Sequence, residues 1–216
     1  METYVVRVWL PDRPGALGQV ASRIGAVRGD VVGIDILERG GGQAVDELVV
    51  TVPDGSVIDL LAGEIAQVDG VAVEDIRRVS GDRPDPGLWG LEIAAELAEA
   101  PVSIRLDELC RQLMVLVEAT WAVAFDAGER RALVERGDAP DTGWLAAFIH
   151  GSRHLSDDEQ AAGAPGDLAW GRLEGTDIVV AIGRAGRPIH TRERQQVTLL
   201  CRLTAALLVE RTVTPA

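Results

Sequence analysis

The chain contains no lysine and no asparagine, and all 21 of its basic residues are arginines. The absence of lysine excludes a lysine Schiff base, a lysine nucleophile and the phosphate-binding lysine of a P-loop. Cysteine is scarce as well: Cys110 and Cys201 are the only two, and they lack CxxC spacing. Both fall in apolar helical patterns, so we interpret them as small buried hydrophobic residues rather than as redox groups.

Long hydrophobic runs are also missing. No segment approaches the length needed to span a bilayer, and Glu2, Arg7 and Asp12 interrupt the N-terminal region where a signal peptide would lie. The net charge of −13 opposes binding to a phosphate backbone or an anionic membrane. We therefore expect a cytoplasmic protein without nucleic-acid or membrane partners. Its 216 residues, 47% of them hydrophobic, suffice for two domains of ordinary size.

The most informative motif present is the run from Asp12 to Leu17, Asp-Arg-Pro-Gly-Ala-Leu. It follows a β-branched and aromatic stretch over residues 3–10, which predicts a strand, and it precedes an apolar stripe at helical spacing. Pro14 restrains the backbone, and Gly15 allows a tight turn and a close approach by another molecule. The free N–H groups at the helix start form an anion site that suits an amino acid better than it suits catalysis.

We call residues 12–17 the elbow. The regular sequence pattern around it continues to residue 79. Strands are predicted at 31–39 and 44–52, joined by a turn at residues 40–42, and a fourth strand at 71–79 follows a second helix. Gly29 is the predicted end of the first helix. The order β-α-β-β-α-β in about 80 residues is that of the ferredoxin-like fold.

The order and the elbow together resemble the ACT domain, a regulatory amino-acid-binding module, over residues 3–79. The resemblance implies pairing of two copies with amino acids bound at the seam between them. It places the ligand carboxylate at the backbone N–H groups of Gly15, Ala16 and Leu17, and the ligand ammonium at Asp12. The start of the second strand, Asp30, Val31 and Val32, completes such sites.

The start of that second strand departs from the family pattern. Many amino-acid-binding members carry Asn or Asp where this chain has Val31, and Asp30 stands one position earlier. Because strand side chains alternate, a shift of one residue turns the carboxylate to the other face of the sheet. The sequence therefore leaves two readings open, an apolar amino acid as ligand or a vestigial site.

Residues 81–90 are rich in turn-forming types and predict a linker between a domain at 1–80 and a second at 91–216. The second region predicts helices near 88–100, 106–117, 143–153 and 192–211, with strands at 119–126, 132–136, 167–173 and 177–183. Thr191 is the predicted N-cap of the last helix. This region resembles a GAF domain, an antiparallel sheet with helices against it, most clearly over residues 103–116, 170–173, 178–183 and 187–193. The expected fold class is thus α+β, a ferredoxin-like ACT domain followed by a GAF-like α/β sandwich.

Sites of other kinds have weaker support in the sequence. His150 and His154 stand four apart, with Asp157 nearby, but Gly151 interrupts the pair and no HExxH pattern is present. Gly151-Ser152 lacks a nucleophile elbow. Four tryptophans of the second region could line a pocket or belong to its core: Trp89, Trp121, Trp144 and Trp170.

The sequence therefore favours a non-catalytic sensor that needs no cofactor or metal. Its expected ligand is an amino acid, or another small molecule, at a seam between two ACT domains, with signalling to a partner protein. Two alternatives remain open: an interaction protein with vestigial ligand sites, and a sensor of a metabolite or nucleotide that acts through the GAF-like region.

Overall fold

The computed structural model of the chain describes residues 1–79, 86–151 and 167–209. The chain divides into two compact units, Met1–Pro86 and Gly87–Ala216. Each unit contains one four-stranded antiparallel sheet, as expected for the α+β class. None of the helices in the described residues is long and apolar enough to cross a bilayer.

The first unit has the predicted βαββαβ order. Its sheet has the strand order β2-β3-β1-β4, and every neighbouring pair is antiparallel. This is the ferredoxin-like arrangement, so the predicted fold of the first unit is confirmed. The elements are β1 (Glu2–Pro11), α1 (Ala16–Ala26), β2 (Asp30–Gly40), β3 (Gln43–Val52), α2 (Ile58–Ala66) and β4 (Ala72–Val79), with a single 3-10 turn at Gly55–Val57.

One face of this sheet packs against both helices and forms the core of the unit. Alternation along β1 directs Val6, Val8 and Leu10 to that face, where all three are buried. They meet the apolar stripes of the two helices, whose fully buried members are Val20, Ile24, Leu61 and Ile65. At roughly 25 cal/mol per Å², burial of these side chains is the main favourable term for this unit.

The end of α1 differs from the prediction that Gly29 is its terminator. The left-handed residue is Arg28, with φ of 61°. The Arg28 N–H donates to Gly25 O and the Gly29 N–H donates to Ile24 O, both at 3.0 Å, which is a Schellman motif. Glycine is required next to it because a Cβ at position 29 would lie 2.8 Å from Ile24 Cγ2.

The second unit packs helices on both faces of its sheet, which has the strand order β6-β5-β8-β7. Helices α3, α4 and α6 cover one face and α5 covers the other. The elements are α3 (Pro86–Glu99), α4 (Arg105–Leu116), β5 (Trp121–Asp126), β6 (Arg131–Arg136), α5 (Thr142–Gly151), β7 (Leu168–Arg172), β8 (Ile178–Gly183) and α6 (Thr191–Val209), with a 3-10 turn at Val102–Ile104.

Two boundaries in the second unit differ from prediction. Helix α3 begins at Pro86, two residues before the start predicted near residue 88. The N-cap of α6 is His190 and not Thr191, because His190 O accepts the first helical bond, from the Arg194 N–H at 3.0 Å. Glu193 Oε2 accepts the His190 N–H at 2.9 Å, as in a capping box. Both differences arise because local propensity locates helix ends only to within a few residues.

Two of the arginines that the structure describes in the second unit are buried, and both bond to backbone carbonyl groups. Arg184, after β8, forms a two-point ion pair with Glu193 and donates to the carbonyl oxygens of Val117, Pro188 and Arg187. Arg105, at the start of α4, donates to four carbonyl oxygens at or near the C-terminal ends of α3 and α6, those of Leu97, Ala98, Ala100 and Leu207. These two side chains join helices that are far apart in sequence.

Candidate functional site

The elbow lies at the end of the first sheet where β1 ends and the β2–β3 turn is found. The Asp12 N–H donates to Gly42 O at 3.0 Å, which ties the elbow to that turn. Gly15 has φ of 88°, the left-handed conformation that favours glycine, and it is the N-cap of α1. Apart from its two chain neighbours, no described residue has an atom within 4 Å of where a Cβ of Gly15 would stand, so the elbow is open on this side.

The backbone N–H groups at the start of α1 are largely unused. The Ala16 N–H donates to Arg13 O at 3.3 Å, so this predicted ligand donor already has an internal acceptor. Among the described residues, the N–H groups of Gly15, Leu17 and Gly18 have no acceptor. Since α1 is an 11-residue helix, its N-terminus carries a partial positive charge beside these free donors. The elbow thus offers two or three hydrogen bonds to an anion such as a carboxylate.

A buried carboxylate that the sequence analysis did not select lies next to the elbow. Asp46, in β3, is 4% exposed, and its Oδ1 has no hydrogen-bond partner within the described part of the chain. Burial raises the pKa of the Asp46 carboxyl above its usual value, while Arg39 lowers it and the Asp12 carboxylate raises it. The influence of Asp12 places this carboxyl within electrostatic range of the elbow. Its position on the helix-facing side of β3, where Ala44 and Leu48 are apolar, could have identified it from sequence.

The other predicted ligand residues lie at the opposite end of the same sheet. Asp30 pairs with Thr51, and Thr51 pairs with Thr3 at the start of β1. The distance from there to Asp12 is about 30 Å, at roughly 3.3 Å per strand residue. Asp30 is exposed, Val31 packs against the core and Val32 is 57% exposed. A single copy therefore does not bring Asp30, Val31 and Val32 to the elbow.

Strand β2 is an edge strand with an unusually apolar surface. Its neighbour on one side is β3, and none of the strands in the described residues lies on the other side. Val32, Ile34 and Ile36 are 57%, 52% and 37% exposed. An edge strand of eleven residues that exposes three aliphatic side chains is a surface on which another chain can pair.

The aromatic residues of the second unit are mainly packing residues. Trp121 lies over Gly183, where any Cβ would collide with its ring. Phe148 stacks on Trp144, with 5.6 Å between ring centroids, and meets Trp170 edge-on at the same separation. Trp144 is 50% exposed, and Trp89 packs against the core.

The structure describes His150 and both cysteines, but not the other residues of the candidate metal site. His150 is exposed at the end of α5, whereas His154, Ser152 and Asp157 lie outside the described residues. Within residues 1–79, 86–151 and 167–209, no three His, Cys, Asp or Glu side chains are grouped to hold a metal ion. Burial raises the pKa of the Cys110 thiol to about 12 and also raises that of Cys201, so both thiols are protonated at neutral pH.

Comparisons with known proteins agree with the geometry of the first unit. Residues 4–70 match the sequence model of the ACT domain family. No curated protein matches the chain. A protein of unknown function from Galdieria sulphuraria is 16% identical, with a TM-score of 0.33; the match covers 44% of this chain and 64% of that one. The ACT domain of the GTP pyrophosphokinase of Chlorobium tepidum is 18% identical, with a TM-score of 0.30, over 36% of this chain and 97% of that one.

A further match extends beyond the length of the first unit. The GAF domain of a protein assigned as a sensor histidine kinase from Pseudomonas syringae pv. tomato is 13% identical to this chain. That match covers 59% of this chain and 87% of the other, with a TM-score of 0.35. The second unit has the antiparallel sheet with packed helices that the sequence predicts. The N-terminal part of the chain, residues 4–70, is an ACT domain.

Proposed function

We propose that this chain is a non-catalytic regulatory protein whose ACT domain binds an amino acid and signals by conformational change to a partner protein. One observation carries the proposal. Inside the ACT match, the elbow presents the free N–H groups of Leu17 and Gly18 at a helix N-terminus, beside the open side of Gly15. This is the arrangement that receives a small carboxylate.

Two copies are needed to assemble the complete proposed site. A dimer with a two-fold axis across the β2 edges would pair these strands antiparallel, so the start of one β2 would lie beside the end of the other. Residues 30–32 of one copy would then approach the elbow end of the second copy. The elbow contributes Asp12, Gly15, Ala16 and Leu17, while Asp30, Val31 and Val32 complete the site across the seam.

Binding at such a seam gives the protein a physical output. A ligand that contacts both copies stabilises the arrangement of the pair to which it binds more tightly. The size of this stabilisation equals the difference between its binding free energies for the two arrangements. The second units move with the first units to which they are joined. A partner protein that recognises one arrangement would therefore respond to the concentration of the amino acid.

Ile34→Arg should convert the dimer into monomers. The substitution replaces an exposed aliphatic side chain on the β2 edge by a charge, and the two-fold axis introduces it twice. We expect dimerisation to weaken on the order of a hundredfold. Sedimentation velocity over a range of protein concentrations measures this effect.

Leu60→Arg is the matched control for that substitution. Leu60 lies on α2 and is 56% exposed, compared with 52% for Ile34, so the chemical change and the exposure are alike. Only the position relative to the β2 edge differs. Equal sedimentation of the two variants would rule out the β2 edge as the dimer interface.

Thermal unfolding of the full chain with each common amino acid, at about 10 mM, tests the proposed function itself. A ligand at a hundred times its Kd stabilises the folded state by about 2.7 kcal/mol, which raises Tm by a few degrees. The response should be lost or reduced in Asp12→Ala and retained in Asp69→Ala, an exposed control in the same unit.

The two alternatives predict different results in the same experiment. An interaction protein with vestigial sites would remain a folded dimer and show no shift with any amino acid. A sensor that acts through the second unit would respond to a nucleotide or another metabolite, and Asp12→Ala would leave that response unchanged. Stabilisation by an amino acid that depends on Asp12 would contradict both alternatives.

A further inference from the structure

The buried Asp46 has a position that core packing does not explain. Its side chain shares the helix-facing side of β3 with Ala44 and Leu48, opposite Val8 on β1 and Ile36 on β2. It is 4% exposed, and its Oδ1 accepts no hydrogen bond from any described residue. A buried carboxylate oxygen without a donor costs free energy, so an apolar residue here would favour folding more.

Asp46 stands three positions after the first residue of β3, near the end of the sheet where the Asp12 N–H donates to Gly42 O. Asp12 and Arg39 act electrostatically on the Asp46 carboxyl, and both are exposed. Ile36, its cross-strand neighbour, is 37% exposed. The carboxyl group therefore lies just beneath the surface, within reach of a small molecule bound at the elbow. The free N–H groups of Leu17 and Gly18 lie on the same side of the sheet, at the start of α1.

We propose that Asp46 recognises the ligand's ammonium group: the elbow binds the carboxylate of an α-amino acid while Asp46 Oδ1 accepts a hydrogen bond from its ammonium. This inference rests on the proposed function and adds the residue that distinguishes an amino acid from a plain carboxylic acid. The ammonium supplies the hydrogen-bond donor that Asp46 Oδ1 lacks, together with a positive charge beside the carboxylate. Asp12, with the same charge on the solvent side, supports the same group from outside.

The neighbouring side chains specify the rest of the ligand. Ile34 and Ile36 lie on the same face of the sheet as Asp46 and expose aliphatic surface beside it. A ligand side chain that extends from this point toward β2 meets these two residues rather than polar groups. The chemical class assigned is therefore an α-amino acid with an aliphatic side chain. This agrees with Val31, in place of a polar residue, at the start of β2.

Asp46→Asn separates ligand recognition from folding. The substitution keeps the shape of the side chain but removes the charge that an ammonium requires. Because it also removes a buried carboxylate whose Oδ1 has no donor among the described residues, Tm without ligand should be unchanged or higher. Asp59→Asn, at an exposed position in the first turn of α2, is the matched control with the same chemical change.

The experiment measures binding by calorimetry for the wild type and both variants of the full chain. The probes are alanine, valine and leucine, each with its des-amino analogue: propanoate, 3-methylbutanoate and 4-methylpentanoate. We expect the wild type to prefer at least one amino acid over its analogue by roughly tenfold or more. Asp46→Asn should lose that preference, and Asp59→Asn should retain it.

Each result has a separate meaning. Wild type that binds an amino acid tenfold better than its analogue, with the preference lost only in Asp46→Asn, supports the inference. Equal preference in wild type and Asp46→Asn overturns the inference and leaves the proposed function standing. If alanine, valine and leucine do not bind while another amino acid stabilises the chain in the thermal unfolding experiment, the assigned ligand class is overturned. If no common amino acid binds in calorimetry or stabilises the chain in thermal unfolding, the proposed function is overturned and this inference with it.

Discussion

Arg184→Met should lower the free energy of unfolding of the second unit by about 3–5 kcal/mol, the range found when one member of a buried ion pair is removed. Arg184 is among the largest fully buried side chains, with a relative exposure of 2%. Its guanidinium nitrogens lie 2.8 and 2.9 Å from the two Glu193 carboxylate oxygens. Methionine fills a similar volume but leaves the Glu193 carboxylate buried without its main charge partner.

The loss of stability arises from more than the ion pair. Arg184 also donates to the carbonyl oxygens of Val117, at the end of α4, and Pro188, before α6. It thus joins β8 to the end of one helix and the start of another, and Glu193 in turn caps α6. Removal of the arginine takes a donor from each of these acceptors at once, each at a further cost.

Urea unfolding followed by tryptophan fluorescence measures this effect, because four of the five tryptophans lie in the second unit. Arg202→Met, at an exposed position of α6, is the control and should change stability by less than about 0.5 kcal/mol. A loss below about 1 kcal/mol in Arg184→Met would show that this arginine does not hold the unit together.

Arg105→Met is the second substitution with a large expected effect, a loss of roughly 3 kcal/mol. Arg105 is 2% exposed and donates to the carbonyl oxygens of Leu97, Ala98, Ala100 and Leu207. These acceptors lie at or near the C-terminal ends of α3 and α6, where unpaired carbonyl groups and the helix dipole favour a cation.

Two further variants define the role of Arg105. Arg105→Lys keeps the charge but not the planar fork, so it should recover only a minor part of the stability. Arg111→Met removes an exposed arginine of the same helix, which pairs with Glu108 on the surface, and should cost less than about 1 kcal/mol. If Arg105→Met and Arg111→Met unfolded at the same urea concentration, the proposed bridge between the helix ends would be wrong.

The parts of the fold that could be predicted from the sequence depend on local signals. Pro14 and Gly15 mark the elbow, alternation marks β1, and Gly41 and Gly42 have the positive φ values that the predicted hairpin turn needs. Each of these signals acts within a few residues, so the βαββαβ order follows from the chain itself. The predicted positions of helix ends are less accurate. Arg28 adopts the left-handed conformation that residue preference assigns to Gly29.

The features that were missed depend on contacts distant in sequence. Arg105 reaches Leu207 across 102 positions, and Arg184 reaches Val117 across 67. Neither contact leaves a local sequence pattern, and no local signal distinguishes these two arginines from the others in an arginine-rich chain. Asp46 is different, because it breaks the apolar alternation of β3, and that break was a readable signal.

The candidate site was predicted only in part for a similar reason. The elbow residues are adjacent in sequence, so the motif brings Asp12, Gly15 and Leu17 together. Asp30, Val31 and Val32 were grouped with them through family resemblance, yet they lie at the far end of the sheet in one copy. Whether they join the elbow depends on a second copy, and a single sequence contains no information on that pairing.

Equilibrium dialysis of the full chain against an equimolar mixture of the common amino acids tests most directly whether the ACT domain binds one. The amino acids on each side of the membrane are quantified by mass spectrometry, with Asp46→Asn and Asp59→Asn dialysed in parallel. We expect an aliphatic amino acid to be enriched on the side of the wild type and of Asp59→Asn, and not on the side of Asp46→Asn. Equal concentrations of every amino acid on both sides for the wild type, at protein concentrations well above micromolar, would contradict the account.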